Sequence, residues 1–365
     1  MGRSPAAARA DSAVTTDEAA AHDVETRPAV SVVVPVLDGE PFLRESLDSI
    51  LEQSYPPSEV IVMDDGSTDA TPEIAASYGD RVRYVRQPST RGIYGNANDG
   101  IAVASGDLIG VFHADDVYLP SMLEREVEWL ERHPAAGAVF CSDVFVDARG
   151  NELGRLELPP EVSGERALDY VTVLNALLTR TNAFLRCPTA LVRARVYRTV
   201  GVYRDAELKN TSDLDMWLRI ARRHPIGILE DHLVLYRRGH GSSSERYHRV
   251  RTDPFRFFEI VDRELERGGR EVATPEALRD YEAHRGVDQV LRAVNHYILG
   301  DRRTARSVLG EVRVWSLVRS PRIQRARMAA LAVSLRGLVR LPRSAALGRL
   351  FERHWFGSPA APGES

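Results

Sequence analysis

G-D-L-I-G-V-F-H-A-D-D-V-Y-L-P, residues Gly106 to Pro120, is the stretch on which the fold turns. Its apolar run, Leu108 to Phe112, has the length of a buried strand in a parallel sheet and stops at two adjacent carboxylates, Asp115 and Asp116, before Pro120 opens the next helix. The acids therefore stand at the carboxyl end of a strand, the edge on which open α/β sheets bind ligands. Two like charges in a half-buried crevice repel unless a cation or a ligand's donors compensate them, and a hard divalent ion with oxygen ligands is the usual compensation. Asp is equally favoured at helix N-caps, so the pair also reads as the start of the helix containing Met122, Leu123, Val127 and Leu130. On this stretch alone both readings stand.

Upstream, V-S-V-V-V-P-V from Val30 to Val36 is almost entirely β-branched, as expected of a strand covered on both faces. After the turn Leu37-Asp38-Gly39, apolar residues Leu43, Leu47, Ile50 and Leu51 recur at helical spacing. Glu59 to Met63 is a second strand, ended by Asp64-Asp65-Gly66-Ser67. Thr71-Pro72-Glu73 then supplies an N-cap, a Pro for the first helical position and a first-turn acid. Val82 to Val85 is a third strand, and a polar loop rich in Gly and Asn is expected from Gln87 to Gly100, ahead of the fourth strand at Leu108. Alternation of this kind predicts a mainly parallel, right-handed, doubly wound sheet flanked by helices. Two carboxylate pairs then fall on one rim of one sheet, Asp64-Asp65 and Asp115-Asp116. That coincidence favours a binding site over a pair of caps, because carboxylates gathered without a partner cost stability. The turn after the first strand has a single Gly, which excludes a G-x-G-x-x-G dinucleotide loop, and G-x-x-x-x-G-K-[ST] occurs nowhere.

Downstream the alternation breaks. Val139 to Asp147 and Glu152 to Leu158, joined through Arg149-Gly150-Asn151, predict a hairpin, and Leu168 to Leu178 a helix, so the sheet becomes mixed. Ala190 to Val192 precedes a helix around Val196 to Thr199. Thr211-Ser212-Asp213-Leu214-Asp215-Met216-Trp217-Leu218-Arg219 is a capped helix start, in which Asp213 and Asp215, two apart, point in different directions. At most one of them faces a common site. Ile228 to Tyr236 is the last strand, followed by Arg237-Arg238-Gly239-His240-Gly241, a donor-rich loop suited to phosphate or, through a neutral imidazole, to a metal.

The chain has 365 residues, 43% of them hydrophobic, enough for a sizeable core, and its formal net charge of −4 excludes a bulk nucleic-acid binder. Only Cys141 and Cys187 occur, which leaves neither a disulfide framework nor a Cys zinc site and makes a cytoplasmic location the expectation. No run approaches the ~18 uninterrupted apolar residues of a membrane span, and Met1 to Pro28 lacks the apolar core of a signal peptide. The expected division is a disordered leader over 1–28, an α/β domain over 29–248, a helical region over 249–356 and a disordered tail over 357–365. Between Arg302 and Phe356 there are thirteen Arg and two Glu, and Met328, Leu331, Leu335 and Leu338 form one helical stripe while Arg336 and Arg340 share another. Such helices either pack back on the α/β domain or lie against anionic lipid at the inner face of the membrane.

Five segments in this order, V-S-V-V-V-P-V-L-D-G-E, E-V-I-V-M-D-D-G-S-T-D, R-G-I-Y-G-N-A-N-D-G-I-A-V-A-S-G-D-L-I, H-A-D-D and S-D-L-D-M-W-L-R, resemble the family 2 glycosyltransferases with the GT-A fold. The resemblance covers Val30 to about Ser244. It implies inverting transfer of a sugar from a nucleotide diphosphate donor to an acceptor hydroxyl on a glycan or lipid-linked saccharide, as in cell-envelope polysaccharide assembly. By the same resemblance Pro35, Leu37, Asp64 and Asp65 hold the nucleotide, the segment with Arg91, Gly92 and Asn98 closes over it, and Asp115 binds Mg2+ or Mn2+. Asp213 is the implied catalytic base, and His240 completes the metal or diphosphate site, with Asp116 and His113 as further metal ligands and Arg237 and Arg238 as diphosphate contacts. The chain departs from the family pattern at three positions: His113 replaces the first acid of D-x-D, Asp38 an asparagine and Ser212 the glutamate before the base. Those departures keep one rival in view, a catalytically silent scaffold that binds sugar nucleotides or glycans. A sugar-nucleotide pyrophosphorylase is disfavoured, because the turn Leu37-Asp38-Gly39-Glu40 is acidic where that chemistry needs a basic loop.

Overall fold

The computed structural model describes residues 1–2, 27–208, 211–239, 251–318 and 323–340. Within them the strands are β1 (Val30–Val36), β2 (Glu59–Asp64), β3 (Arg83–Arg86), β4 (Leu108–Val111), β5 (Val117–Tyr118), β6 (Ala138–Val146), β7 (Glu152–Arg155), β8 (Ala190–Arg193) and β9 (Ile226–Arg237). The helices between and after them are α1 (Leu43–Leu51), α2 (Thr71–Ala76), α3 (Ile93–Val103), α4 (Met122–Arg132), α5 (Tyr170–Arg180), α6 (Ala194–Val200), α7 (Asp205–Leu208) and α8 (Ser212–Ala221). The C-terminal helices are α9 (Arg256–Glu264), α10 (Pro275–Ile298), α11 (Arg302–Glu311), α12 (Val314–Val318) and α13 (Ile323–Leu338).

All described strands join one mixed sheet in the order β3-β2-β1-β4-β8-β6-β9-β5, with β7 on β6. The first four run parallel; β8 inserts antiparallel between β4 and β6, and β9 returns parallel to β6. β1 shows why its sequence is so apolar. Val30, Val32, Val34 and Val36 enter the core shared with α1 and α4, whereas Val33 enters the opposite core with α3, α5 and α8. A strand covered on both faces has no polar side to show. Pro35 is tolerated because β4 ends opposite Val33, so its missing N–H falls beyond that ladder.

Two local expectations change. The segment expected as loop from Gln87 to Gly100 is helical from Ile93 onward, because Gly92, at φ 78°, provides a left-handed entry that starts α3 directly. Asp115 and Asp116 do not cap a helix: β5 lies between them and α4, which begins only at Met122. The short β5 pairs antiparallel with β9, bringing the end of that late strand onto the acid pair.

The larger core does not break near residue 248. Phe257, Phe258, Ile260 and Val261 of α9 and Ala277 and Tyr281 of α10 share it with Leu214, Trp217 and Leu218 of α8. A third core unites the later part of α10 with α11, α12 and α13, through Val290, Val294, Leu309, Leu317 and Leu335. Met328 and Leu331 pack against it and Leu335 is fully buried, so these residues of the α13 stripe serve helix packing. Of the two readings of this stripe, that favours packing over lipid contact. Arg336 likewise turns inward, donating to the carbonyls of Leu309 and Val312 at 2.9 and 2.8 Å. Among the described residues no helix is long and apolar enough to cross a membrane.

Candidate active site

The carboxyl ends of β1, β2 and β4 open on one rim. There Asp38 adopts φ 51°, a conformation that Asn and Asp tolerate better than other side chains, and its carboxylate accepts the Thr68 N–H at 2.8 Å. That accounts for the acid where the family pattern has asparagine. Leu37 beside it is half exposed, while Pro35 is buried within β1.

The acid pair after β2 serves the backbone. Asp64 is fully buried; its Oδ1 accepts the N–H groups of Gly66 and Ser67 at 3.1 and 2.8 Å and its Oδ2 accepts the Tyr84 hydroxyl. Burial raises this carboxyl, but the hydrogen bonds from Ser67 and Tyr84 and the charge of Arg86 outweigh it and hold the group below the usual carboxylate range. Asp65 grips the next loop, accepting the N–H groups of Arg91 and Gly92 at 2.6 and 3.0 Å. In this structure the two carboxylates expected to hold a nucleotide shape the loops that would surround one. Asn98 is also committed elsewhere, exchanging hydrogen bonds of 2.8 and 3.0 Å with the backbone of Tyr203. Arg91 lies on the surface, 3.2 Å from Asp99. Between this loop and α7 runs an open groove of about 690 Å³, lined among others by Thr90, Arg91, Asn98, Tyr203 and Arg204.

After β4, His113, Asp115 and Asp116 bring three potential ligand atoms within 4.8 Å of one another. Asp116 is buried, its Oδ1 accepts the Arg237 N–H at 2.8 Å, and its Oδ2 lies 3.6 Å from His113 Nδ1. Asp116 Oδ2 and His113 Nε2 are buried with no hydrogen-bond partner among the described residues. Burial, then the charge of Asp115, pushes the Asp116 carboxyl well above its ordinary value, and burial lowers the His113 imidazole. One imidazole and two carboxylates, with two buried ligand atoms left over, form a donor set that fits a divalent cation.

Arg237 corrects its expected role as a diphosphate contact. Its Nε donates to the carbonyl of Asp115 at 2.9 Å, Nη1 to those of Asp147 and Ala148, and Nη2 to Glu45 at 2.7 Å, while the guanidinium sits 4.6 Å above the Phe42 ring. It is a buried clamp that ties the acid-bearing turn to β9, the β6–β7 turn and α1. Arg238 lays its guanidinium 3.7 Å over Phe145. His240 lies outside the described residues.

The helix α8 separates its two acids as the spacing requires. Asp215 is buried against Arg219 at 2.7 Å and Arg204 at 3.3 Å, and Arg219 in turn caps the carbonyls that end α6. Asp213 points the other way, taking the Leu214 N–H at 2.8 Å, with the Tyr94 hydroxyl nearby. Burial, only partly offset by these donors and by Arg186, pushes the Asp213 carboxyl up to about 6. The neighbouring Cys187 thiol is within electrostatic reach of both Asp213 and Asp116, and Tyr236 within reach of Asp115 and Asp116. The base candidate and the donor trio therefore belong to one cluster.

Sequence reasoning passed over several members of that cluster. Arg186 sits between the rings of Phe145 and Tyr236, 4.9 Å from each, with its Nε 2.7 Å from the fully buried Asp143. An acid inside the apolar strand A-V-F-C-S-D-V-F-V was the available signal, because charged groups are rarely buried unless paired. Tyr94 gave no comparable sign.

Residues 31–201 match the profile of the family described as glycosyl transferase family 2. This segment belongs to glycosyltransferase family 2. The family 2 match holds both acid pairs and ends before Asp213. An uncharacterised glycosyltransferase of Rickettsia prowazekii (strain Madrid E) is 32% identical over 210 residues, 57% of this chain and 63% of its own. An uncharacterised protein of Mycobacterium bovis is 29% identical over 284 residues, 74% of each chain. The chain spans between 34% and 63% of the length of the first curated relatives it matches. In fold it is similar to the crystal structure of S. aureus TarS 1–349 in complex with UDP, with a TM-score of 0.55 at 18% identity, over 90% of this chain and 89% of that one. The TarS 1–349 complex with UDP-GlcNAc gives 0.54 at 17% identity, over 85% and 90%.

Proposed function

We propose that the protein is an inverting glycosyltransferase that moves a sugar from a nucleotide diphosphate sugar to an acceptor hydroxyl, with Asp213 as the base. The observation that carries this reading is the joint placement of a partly buried acid, raised to about 6, and the His113, Asp115, Asp116 trio around Cys187. An acid with that value is ionised at neutral pH yet basic enough to accept a proton, the condition for general-base catalysis. The UDP and UDP-GlcNAc complexes of TarS support a nucleotide sugar as donor.

The acceptor hydroxyl oxygen attacks the anomeric carbon, its proton passes to Asp213, and the bond from that carbon to the diphosphate oxygen breaks on the opposite side. His113, Asp115 and Asp116 would hold Mg2+ or Mn2+, which when bound supplies charge neutralisation at the diphosphate. The Leu214 N–H orients the base, Arg237 fixes the turn bearing Asp115, and Asp65 holds the loop of Arg91 and Gly92 at the rim where the nucleotide would bind. The family resemblance supports a glycan or lipid-linked saccharide as acceptor.

The test is release of nucleotide diphosphate from a panel of nucleotide sugars with Mn2+ or Mg2+ and mixed saccharide acceptors, for the wild type and Asp213→Asn. Release by the wild type with a loss of about 10² or more in the variant supports the reading. Donor binding by the wild type without any release would overturn it in favour of a sugar-nucleotide-binding scaffold.

A further inference from the structure

Beside the base candidate lies a guanidinium whose hydrogen-bonding capacity the fold leaves unused. Arg186 stands just ahead of β8, its backbone carbonyl held by the Thr189 N–H at 3.3 Å and hydroxyl at 3.1 Å, and its guanidinium packs on the rings of Phe145 and Tyr236, 4.9 Å from each. Those two residues are partners across β6 and β9, one position before Arg237, whose N–H grips Asp116. On the other side Cys187, next in the chain, meets the Tyr203 hydroxyl at 3.6 Å, and the Tyr203 ring lies 6.0 Å from that of Trp217, one turn beyond Asp213 on α8. Arg186 therefore sits between the acid trio and the base, where an in-line displacement places the sugar being transferred.

Asp143, fully buried in β6, is the one acid paired with Arg186 among the described residues, 2.7 Å from its Nε. The pair is poorly satisfied. Nε and both Asp143 oxygens are buried without a hydrogen-bond partner, and no described residue takes a hydrogen bond from either Nη, although the side chain keeps 17% of its surface open. Asp143 is also within electrostatic reach of Arg238, so its charge is divided between two guanidinium groups. Buried polar groups are rarely left in this state, and a buried ion pair adds little to stability over apolar residues of the same volume. An arrangement that costs stability, and that holds a planar fork still against two rings, suits the recognition of a carboxylate.

We infer that Arg186 reads the transferred sugar, selecting one that bears a carboxylate, a uronic acid, over its neutral counterpart. The inference deepens the proposed transfer and rests on that reading for the placement of the sugar. A carboxylate accepts both Nη prongs side by side, whereas the hydroxymethyl group of a neutral hexose offers a single oxygen.

The experiment is calorimetric binding of matched donors with Mn2+: UDP-glucuronate against UDP-glucose, and GDP-mannuronate against GDP-mannose. The wild type should bind the uronate of at least one pair about tenfold more tightly, the scale of a charge-assisted hydrogen-bonded contact. Arg186→Gln should bring the two members of that pair within about twofold while leaving the neutral donor unchanged, and Arg186→Lys, a point charge without the fork, should keep part of the preference. Arg186→Gln alone leaves Asp143 buried without its cation, so the double change with Asp143→Asn removes that charge as well and should give the same result in a stable protein. Asp143→Asn alone should retain the preference. Equal binding of both members by the wild type, preference for the neutral one, or loss of the preference in Asp143→Asn would overturn the inference. Equal weakening of both members in the double variant would overturn it too, by making Arg186 a diphosphate contact or a structural residue. So would a preference found only for uronate-bearing acceptors, read as nucleotide diphosphate release from a neutral donor. Uronate preference without any release would count against the proposed transfer and leave the subsite standing, whereas release without uronate preference would remove the subsite alone. Failure of all these donors to bind would count against both.

Discussion

Replacing Asp213 by Asn should make the protein more stable and nearly inactive, with the gain confined to one side of a pH window. An acid whose folded value is raised above its unfolded one binds its proton more tightly in the native state. Its contribution to stability is therefore fully present below the unfolded value, near 3.9, and is lost as pH rises through the folded value, about 6. The difference of about two units corresponds to about 3 kcal/mol at 1.36 kcal/mol per unit, an upper figure because the side chain is only partly buried. Asn keeps a carbonyl for the Leu214 N–H and carries no charge to desolvate. With an unfolding entropy of about 2.1 cal/mol/K per residue over 365 residues, 3 kcal/mol is a shift of about 4 °C. Wild type and Asp213→Asn should therefore melt nearly together at pH 4 and separate by up to about 4 °C at pH 7, the variant higher, while its turnover falls by about 10² or more. Groups that titrate in both proteins cancel in the difference. Melting curves whose separation is flat from pH 4 to pH 7, or in which the variant loses stability as pH rises, would refute the placement of this acid.

Nucleotide diphosphate with Mn2+ should raise the melting temperature, since a ligand bound only by the folded state at about 100 times its Kd adds about 2.7 kcal/mol. Asp115→Ala should remove the metal-dependent part; calorimetric nucleotide binding indifferent to both chelator and this change would refute the cation assignment. Arg237→Ala should cost more than about 2 kcal/mol by denaturant titration, because the carbonyls of Asp115, Asp147 and Ala148 lose their donor, and it should weaken metal-dependent binding as well. Loss of diphosphate affinity with unchanged stability would instead restore its role as a ligand contact. Leu335→Asp should destabilise the C-terminal helices by at least about 3 kcal/mol, since the side chain is fully buried. Unchanged melting with lost sedimentation on anionic vesicles would revive the lipid-facing reading.

The first half of the sheet was readable because strands covered on both faces write themselves as apolar runs: Val30 to Val36 and Leu108 to Phe112 needed no tertiary knowledge. β5 was not readable, since two residues make a strand only when β9, distant in sequence, pairs with them. The acids were found but their duties were not. A carboxylate after a strand has the same sequence signature whether it accepts its own loop's N–H groups, as Asp65 does, or faces a ligand. Arg237 was misread for a similar reason, because a cation at a strand end gives no sign of the carbonyls that fold back around it. The opposite directions of Asp213 and Asp215 followed from helix geometry alone. Tyr94 and Arg186 reach the base only through the tertiary fold, and single-sequence periodicity carries no trace of such contacts.

The shared core of α8 with α9 and α10 gives the C-terminal helices a mechanical hold on the reaction. Leu214 and Trp217 flank the base on α8, their neighbours in that core include Phe257, Ile260 and Val261, and the far end of α8 is tethered where Arg222 pairs with Glu264 of α9. A helix packed this closely moves as a rigid lever. Grafting these helices from a relative, even one identical throughout the sheet, would tilt the shaft on which the base is mounted. An ångström at that point is enough to misplace a proton acceptor. A segment far from the transfer itself would then be able to retune chemistry whose residues it never touches.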